Sequence, residues 1–120
     1  MGKTADAITQ EILSWPGVVA QPHRFGGVEF TIDHREIGHL HGDRLADLPF
    51  PPRIRDELIT SGRARPHHVL PESGWVSRWI RGPEDVGQVI ALFRLNYERL
   101  ARIGTRQRRD QGTKVPGDQQ

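Results

Sequence analysis

Val28, Phe30 and Ile32 alternate with Glu29, Thr31 and Asp33, and this two-residue period constrains the fold more than any other feature of the chain. Successive side chains of an extended strand point to opposite faces, so the three apolar residues share one side and need a cover. Gly26-Gly27 just before them reads as a hairpin turn. Val18 to Phe25 is then the incoming extended segment, set at an edge by Pro22. After Asp33-His34-Arg35 the chain is expected to return as a strand over Glu36 to His41. Trp75 to Ile80, rich in aromatic and β-branched residues, reads as a further strand.

The cover comes from the two ends. Ile8, Ile12 and Trp15 recur at helical spacing behind Thr4, a helix-capping residue type, and Pro16-Gly17 stops the run. Val86, Val89, Ile90, Phe93, Tyr97 and Leu100 line one side of a long final helix. Gly82-Pro83-Glu84-Asp85 starts it with acids in the first turn, where the helix dipole favours them. Between these ends lies a Pro-rich corner, Leu48 to Pro52. A short helix over Arg53 to Ser61, stopped by Gly62, and a structured loop over Arg63 to Gly74 follow. The pattern predicts an α+β two-layer sandwich. An antiparallel sheet of three to four strands carries the terminal helices on one face and leaves the other partly open.

A chain of 120 residues suits one domain. We expect it to fold over residues 1–103, with 104–120 a disordered, Arg-containing tail poor in anything to bury. Residues 1–103 hold 13 Lys and Arg against 13 Asp and Glu, while residues 104–120 hold four against two. The folded part is therefore neutral, which disfavours a phosphate-tracking surface and leaves the tail as the feature that keeps nucleic acid open. The absence of cysteine excludes disulfides, thiolate metal sites and a Cys nucleophile. No apolar run approaches the ~20 residues that span a bilayer, and Met1 to Asp6 lacks a signal-peptide core. A cytoplasmic monomer or homodimer is expected.

The chemistry-bearing feature is a His39-x-His41-x-Asp43 run followed by Pro66-His67-His68. Residues two apart on a strand share a face, so His39, His41 and Asp43 point the same way if the strand reaches that far. Flanking Gly38 and Gly42 would let a ligand or neighbouring backbone come close. Three readings fit. One is a metal site of His39, His41 and either Asp43 or His68, since two His and one carboxylate suit iron or zinc. The second is metal-free acid–base work, with an imidazole oriented by Asp43 or Glu72. The third is packing, with the histidines bonded to backbone or Asp43. Trp75 and Trp79 share a strand face around Ser77; they either pack under the long helix or wall an open pocket. Arg78, on the opposite face, is an anion contact or a solvent-exposed residue. Ser73-Gly74 lacks the G-x-S-x-G context of a nucleophile, and Gly26-Gly27 is too short to cradle phosphate.

The segments His39-Leu-His-Gly-Asp43, Asp47-Leu-Pro-Phe50 and Pro66-His-His-Val-Leu-Pro-Glu-Ser-Gly-Trp-Val-Ser77, with Asn96-Tyr97, resemble the luciferase-like domain family. That family includes the luciferases of bioluminescent fungi and many short bacterial proteins. The resemblance covers about residues 10 to 103 and rests most on the Pro-His-His to Trp-Val-Ser run. It implies oxygenation of a hydroxylated pyrone-like or aromatic small molecule by molecular oxygen, with no separate cofactor. His39, His41 and His68 would be the catalytic polar groups, and Asp43, His67, Trp75, Ser77 and Trp79 would contact substrate. The chain lacks the N-terminal hydrophobic segment of the fungal members, which counts against light emission. Together with neutral charge and missing cysteine, the resemblance favours the metal-free reading. The Trp75-Val-Ser and Asn96-Tyr97-Glu98 segments are also similar to MmcQ/YjbR-like proteins, which implies the rival reading of a non-catalytic DNA- or protein-binding module.

Overall fold

A computed structural model describes the backbone of residues 2–23 and 26–118, with side chains as far as residue 108. α1 (Lys3–Leu13) leads into β1 (Val18–Pro22), β2 (Val28–Ile32), β3 (Arg35–His41) and β4 (Leu45–Pro49). α2 (Pro52–Thr60), β5 (Arg65–Pro66) and β6 (Trp75–Trp79) follow, and a 3-10 turn at Pro83–Asp85 opens α3 (Val86–Asp118). The strands form one six-stranded sheet in the order β1-β2-β3-β4-β6-β5, every neighbouring pair antiparallel.

The α+β class follows from the pattern, but the sheet has six strands where three to four were expected. β4 escaped notice because Leu45, Ala46, Asp47 and Leu48 are all buried, and a strand covered on both faces carries no alternation. β5 is only two residues long and lies inside the stretch expected as a structured loop. α3 passes without a break through the boundary expected at residue 103. Just beyond it, Arg108 reaches Asp33 at 3.2 Å and Gln107 accepts from Arg35 at 3.1 Å. Among the described residues, no helix is long and apolar enough to cross a membrane.

The core lies between the sheet and α3. Phe93 meets Phe30 edge to face with centroids 5.6 Å apart. A Cβ at Gly38 would stand 2.8 Å from the Phe93 ring, so only glycine lets the helix sit this close to β3. Trp15 packs on Tyr97 at 5.2 Å, and the Tyr97 hydroxyl donates to the Pro16 carbonyl at 2.7 Å, which ties the end of α1 to α3. Arg78 is partly buried and bonds the Asp85 carboxylate at 3.1 Å, which joins β6 to the start of α3.

One irregularity sets up the other face. Between Phe30 and Thr31 the β2–β3 register slips, so that Ile37 becomes an extra residue in β3. A bulge of this kind reverses the alternation on one side of it. Glu36 and His39, three residues apart, therefore emerge on the same face. The bulged Ile37 carbonyl accepts a 2.8 Å hydrogen bond from Asn96 Nδ2, and Asn96 is fully buried in α3. Asn96→Ala would leave that carbonyl unpaired, and we expect a loss of about 2 kcal/mol in urea unfolding. A loss under about 0.5 kcal/mol would mean that another donor already serves Ile37.

Candidate functional site

Strand pairing builds the site in a straight row across the sheet. Glu29 pairs with His39, His39 with Asp47, and Asp47 with Ser77. Paired residues share a face, so these four side chains stand side by side on the face opposite Phe93. His41 follows His39 along the same strand face, and the segment after β5 brings His67 and His68 over the row. Together with His23, Val69, Leu70 and Trp75 they line a cavity of about 750 Å³.

Asp47 is the hub. Its carboxylate is fully buried. Oδ1 accepts a 2.6 Å hydrogen bond from the Ser77 hydroxyl. Oδ2 is buried and makes no hydrogen bond, although His41 Nε2 stands 3.2 Å away and His39 Nε2 and His67 Nε2 each 3.5 Å. His39 is held from behind, its Nδ1 2.7 Å from Glu36 Oε2, and its ring stacks on His23 at 4.1 Å.

The hydrogen bonds fix where two protons sit. Ser77 has one hydroxyl proton and spends it on Asp47, so His68 Nδ1, 3.1 Å from that hydroxyl, must be the donor. His68 Nε2 is left with a free lone pair. His67 is the reverse: its Nδ1 accepts from the backbone N–H groups of Val69 and Leu70 at 3.1 and 3.0 Å. The proton of its neutral ring is therefore on Nε2, facing Asp47.

Electrostatics separates the rings. Burial alone would lower the pKa of His39, but the Asp47 and Glu36 carboxylates outweigh it and raise it to about 9. Burial lowers His41, helped by the positive charge of His39 and only partly opposed by Asp47. His67 is lowered in the same way, burial first, with His68 and His39 adding to it against Asp47. Burial would raise Asp47, yet His39, the Ser77 hydroxyl, His67 and His68 together hold it below the usual carboxylate range. At neutral pH the floor thus holds an Asp47 anion and a His39 cation beside neutral His41 and His67.

Of the residues singled out from sequence, His39, His41, His67, His68 and Trp75 line the cavity. Ser77 lies beneath it, fully buried. Trp75 is 5.3 Å from the His39 ring, on the open face and away from the long helix. Trp79 sits farther out, 44% exposed, with its ring 6.0 Å from that of His68. Asp43 does not join them. β3 ends at His41 and Gly42 turns the chain with φ of 57°, so the two-residue alternation stops short of Asp43. Its Oδ1 instead accepts from the Ala5 N–H at 2.7 Å. Asp43 thereby caps α1, which begins at Lys3 and makes no use of Thr4 as its cap. Glu72 lines a separate depression beside α2, and the carboxylates that orient imidazoles are Glu36 and Asp47.

Sequence reading missed Asp47, Glu36 and His23. Asp47 had a signal, a lone acid inside an otherwise apolar Leu45 to Leu48 run, which must be paired to be buried. Glu36 had none, because unbroken alternation puts it on the opposite face from His39.

No curated protein and no solved structure matches the chain. A family model, the Luciferase domain, matches residues 34–96, a stretch that runs from the turn before β3 well into α3. It contains Glu36, His39, His41, Asp47, both loop histidines, Trp75 and Ser77. With more than half of the chain and nearly all of the converging side chains inside that match, the protein belongs to the luciferase domain family.

Proposed function

We propose that the open sheet face binds a flat, hydroxylated aromatic or pyrone-like molecule and promotes its oxygenation by molecular oxygen. The observation that carries this reading is the cavity of about 750 Å³, a size that suits a small ligand. Its floor is a charged polar row, and its walls are Trp75, Val69 and Leu70. A ring stacks on such walls while its hydroxyl points at the polar floor.

His68 is the proton acceptor in this reading. Its Nδ1–H is anchored on Ser77, which is anchored in turn on Asp47, so its Nε2 lone pair has a fixed direction. Deprotonating an acidic enol or phenol leaves an electron-rich anion, the form that reacts with oxygen. A positioned base contributes about a hundredfold or more to such a step.

Titration of the chelator-treated protein with a hydroxylated 2-pyrone, followed by tryptophan emission, tests the binding half. We expect saturable quenching, and about tenfold weaker binding in Trp75→Ala, the scale of one lost aromatic contact. Oxygen uptake with the bound compound tests the second half, and His68→Gln should reduce it about a hundredfold. The reading fails if no hydroxylated pyrone or phenol binds saturably, or if His68→Gln takes up oxygen at the parent rate.

A further inference from the structure

We propose that His39 Nε2, His41 Nε2 and Asp47 Oδ2 bind one divalent first-row transition-metal ion, whose remaining coordination positions open into the cavity. The inference rests on the pocket reading above for its chemical purpose, but its geometry stands on the protein alone.

The first observation is the unpaired oxygen. Asp47 is fully buried and Oδ2 has no hydrogen bond, while three imidazole nitrogens surround it within 3.5 Å. The N–H groups that face it stand 3.5 Å away, too far for a good hydrogen bond, and a cation held directly by Oδ2 and two imidazole nitrogens would satisfy this buried oxygen. Spacing supports this. Ligand atoms about 2.1 Å from a common ion stand roughly 3.0 Å apart at right angles and 3.4 Å apart in a tetrahedron. The observed separations from Oδ2 are 3.2 Å to His41 and 3.5 Å to His39.

The second observation is how the ligand atoms are aimed. A metal-binding imidazole commonly donates its other N–H to a carboxylate, which fixes the ring and raises its basicity. Glu36 does this to His39 at 2.7 Å, and the bulge at Ile37 exists in the right place to allow it. Ser77 likewise fixes Asp47 through Oδ1 and leaves Oδ2 free. All three ligands come from adjacent strands, β3 and β4, so little has to move.

Proton placement also says which histidines stay out. His67 Nδ1 accepts two backbone N–H groups, so coordination through Nε2 would demand an imidazolate. His68 points Nδ1–H at Ser77 and remains the proton acceptor. Two imidazoles with one carboxylate select iron(II), cobalt, nickel or zinc over the all-oxygen preference of calcium and magnesium. The same set on one side of the ion, with open positions opposite, is the arrangement of non-haem iron(II) oxygenases.

Cobalt(II) titration of the chelator-stripped full chain reads the site directly through its visible d–d absorption, with no organic ligand present. We expect saturation at one equivalent and competition by iron(II) and zinc(II). His41→Ala, a change at the half-exposed rim, should weaken binding by about a hundredfold, and Glu36→Gln by about tenfold or more as an orienting group. His34→Asn, at an exposed histidine in the turn before β3 and outside the cavity, should bind within about threefold of the parent. Circular dichroism checks that each variant is folded. No saturable cobalt(II), iron(II) or zinc(II) binding by the folded parent overturns the inference, as does parent-like affinity in His41→Ala. Pyrone binding by the stripped protein is scored separately. Metal uptake without pyrone binding sinks only the pocket reading, and pyrone binding without metal uptake sinks only the metal.

Discussion

Asp47→Asn is expected to lower the stability of the metal-free protein by about 3 kcal/mol, the scale seen when one partner of a buried ion pair is removed. The substitution keeps shape and keeps an oxygen to accept from Ser77, so the change is confined to the charge and to the atom at the Oδ2 position. Two consequences follow from the geometry. His39, 3.5 Å away and raised to about 9 largely by Asp47 and Glu36, loses one of its two counter-charges. An NH₂ group also takes the place of Oδ2 and confronts the protonated Nε2 of His67, a donor facing a donor. His39 can relieve part of the strain by giving up its proton, which keeps the loss nearer 3 than 5 kcal/mol. Ser77→Ala, which removes one neutral donor to a charged acceptor, should cost about 2 kcal/mol. Urea unfolding of both variants at neutral pH is the check. If Asp47→Asn unfolds within about 0.5 kcal/mol of the parent, the carboxylate is not the hub of the cluster.

Asp47 also marks the limit of what the sequence makes legible. The strand face holding His39 and His41 is readable because a two-residue period needs only the chain itself. Trp75 and Ser77 are readable on β6 for the same reason. The partner that unites them is not, because Asp47 sits in a strand buried on both sides, where the period vanishes. Glu36 is hidden for a different reason: its face depends on a bulge at Ile37, and that bulge is stabilised by Asn96 from a helix 59 residues away. Asp43 fails in the opposite sense. Local spacing promises a third ligand, but the turn at Gly42 diverts it to cap α1. Local periodicity thus yields the elements and half of the cluster. Register, bulges and caps come from tertiary contacts and decide the rest.

Phe93→Ala should be the most damaging change in the core, at about 4 kcal/mol, within the range for a buried Phe truncated to Ala. Phe93 is fully buried in α3 and meets both the Phe30 ring and the bare backbone of Gly38. Its loss leaves a void that β3 cannot close without shifting toward the helix. β3 carries His39 and His41 on its other side, so the movement would reach the cavity floor. Against a typical total of 5–15 kcal/mol, such a loss consumes much of the margin, and the thermal midpoint should fall by about 15 °C. Phe93→Leu keeps most of the volume and should cost about 1.5 kcal/mol or less. The opposite error, Gly38→Ala, overfills the same contact: its Cβ would meet Phe93 at 2.8 Å and the Asp47 carbonyl and Leu48 at 2.9 Å each. Two of those neighbours are β4 itself, so this methyl should loosen the His39–Asp47 pairing as well as cost about 2 kcal/mol. Differential scanning calorimetry ranks the three. If Phe93→Ala melts no lower than Phe93→Leu, the helix–sheet contact does not hold β3 in place.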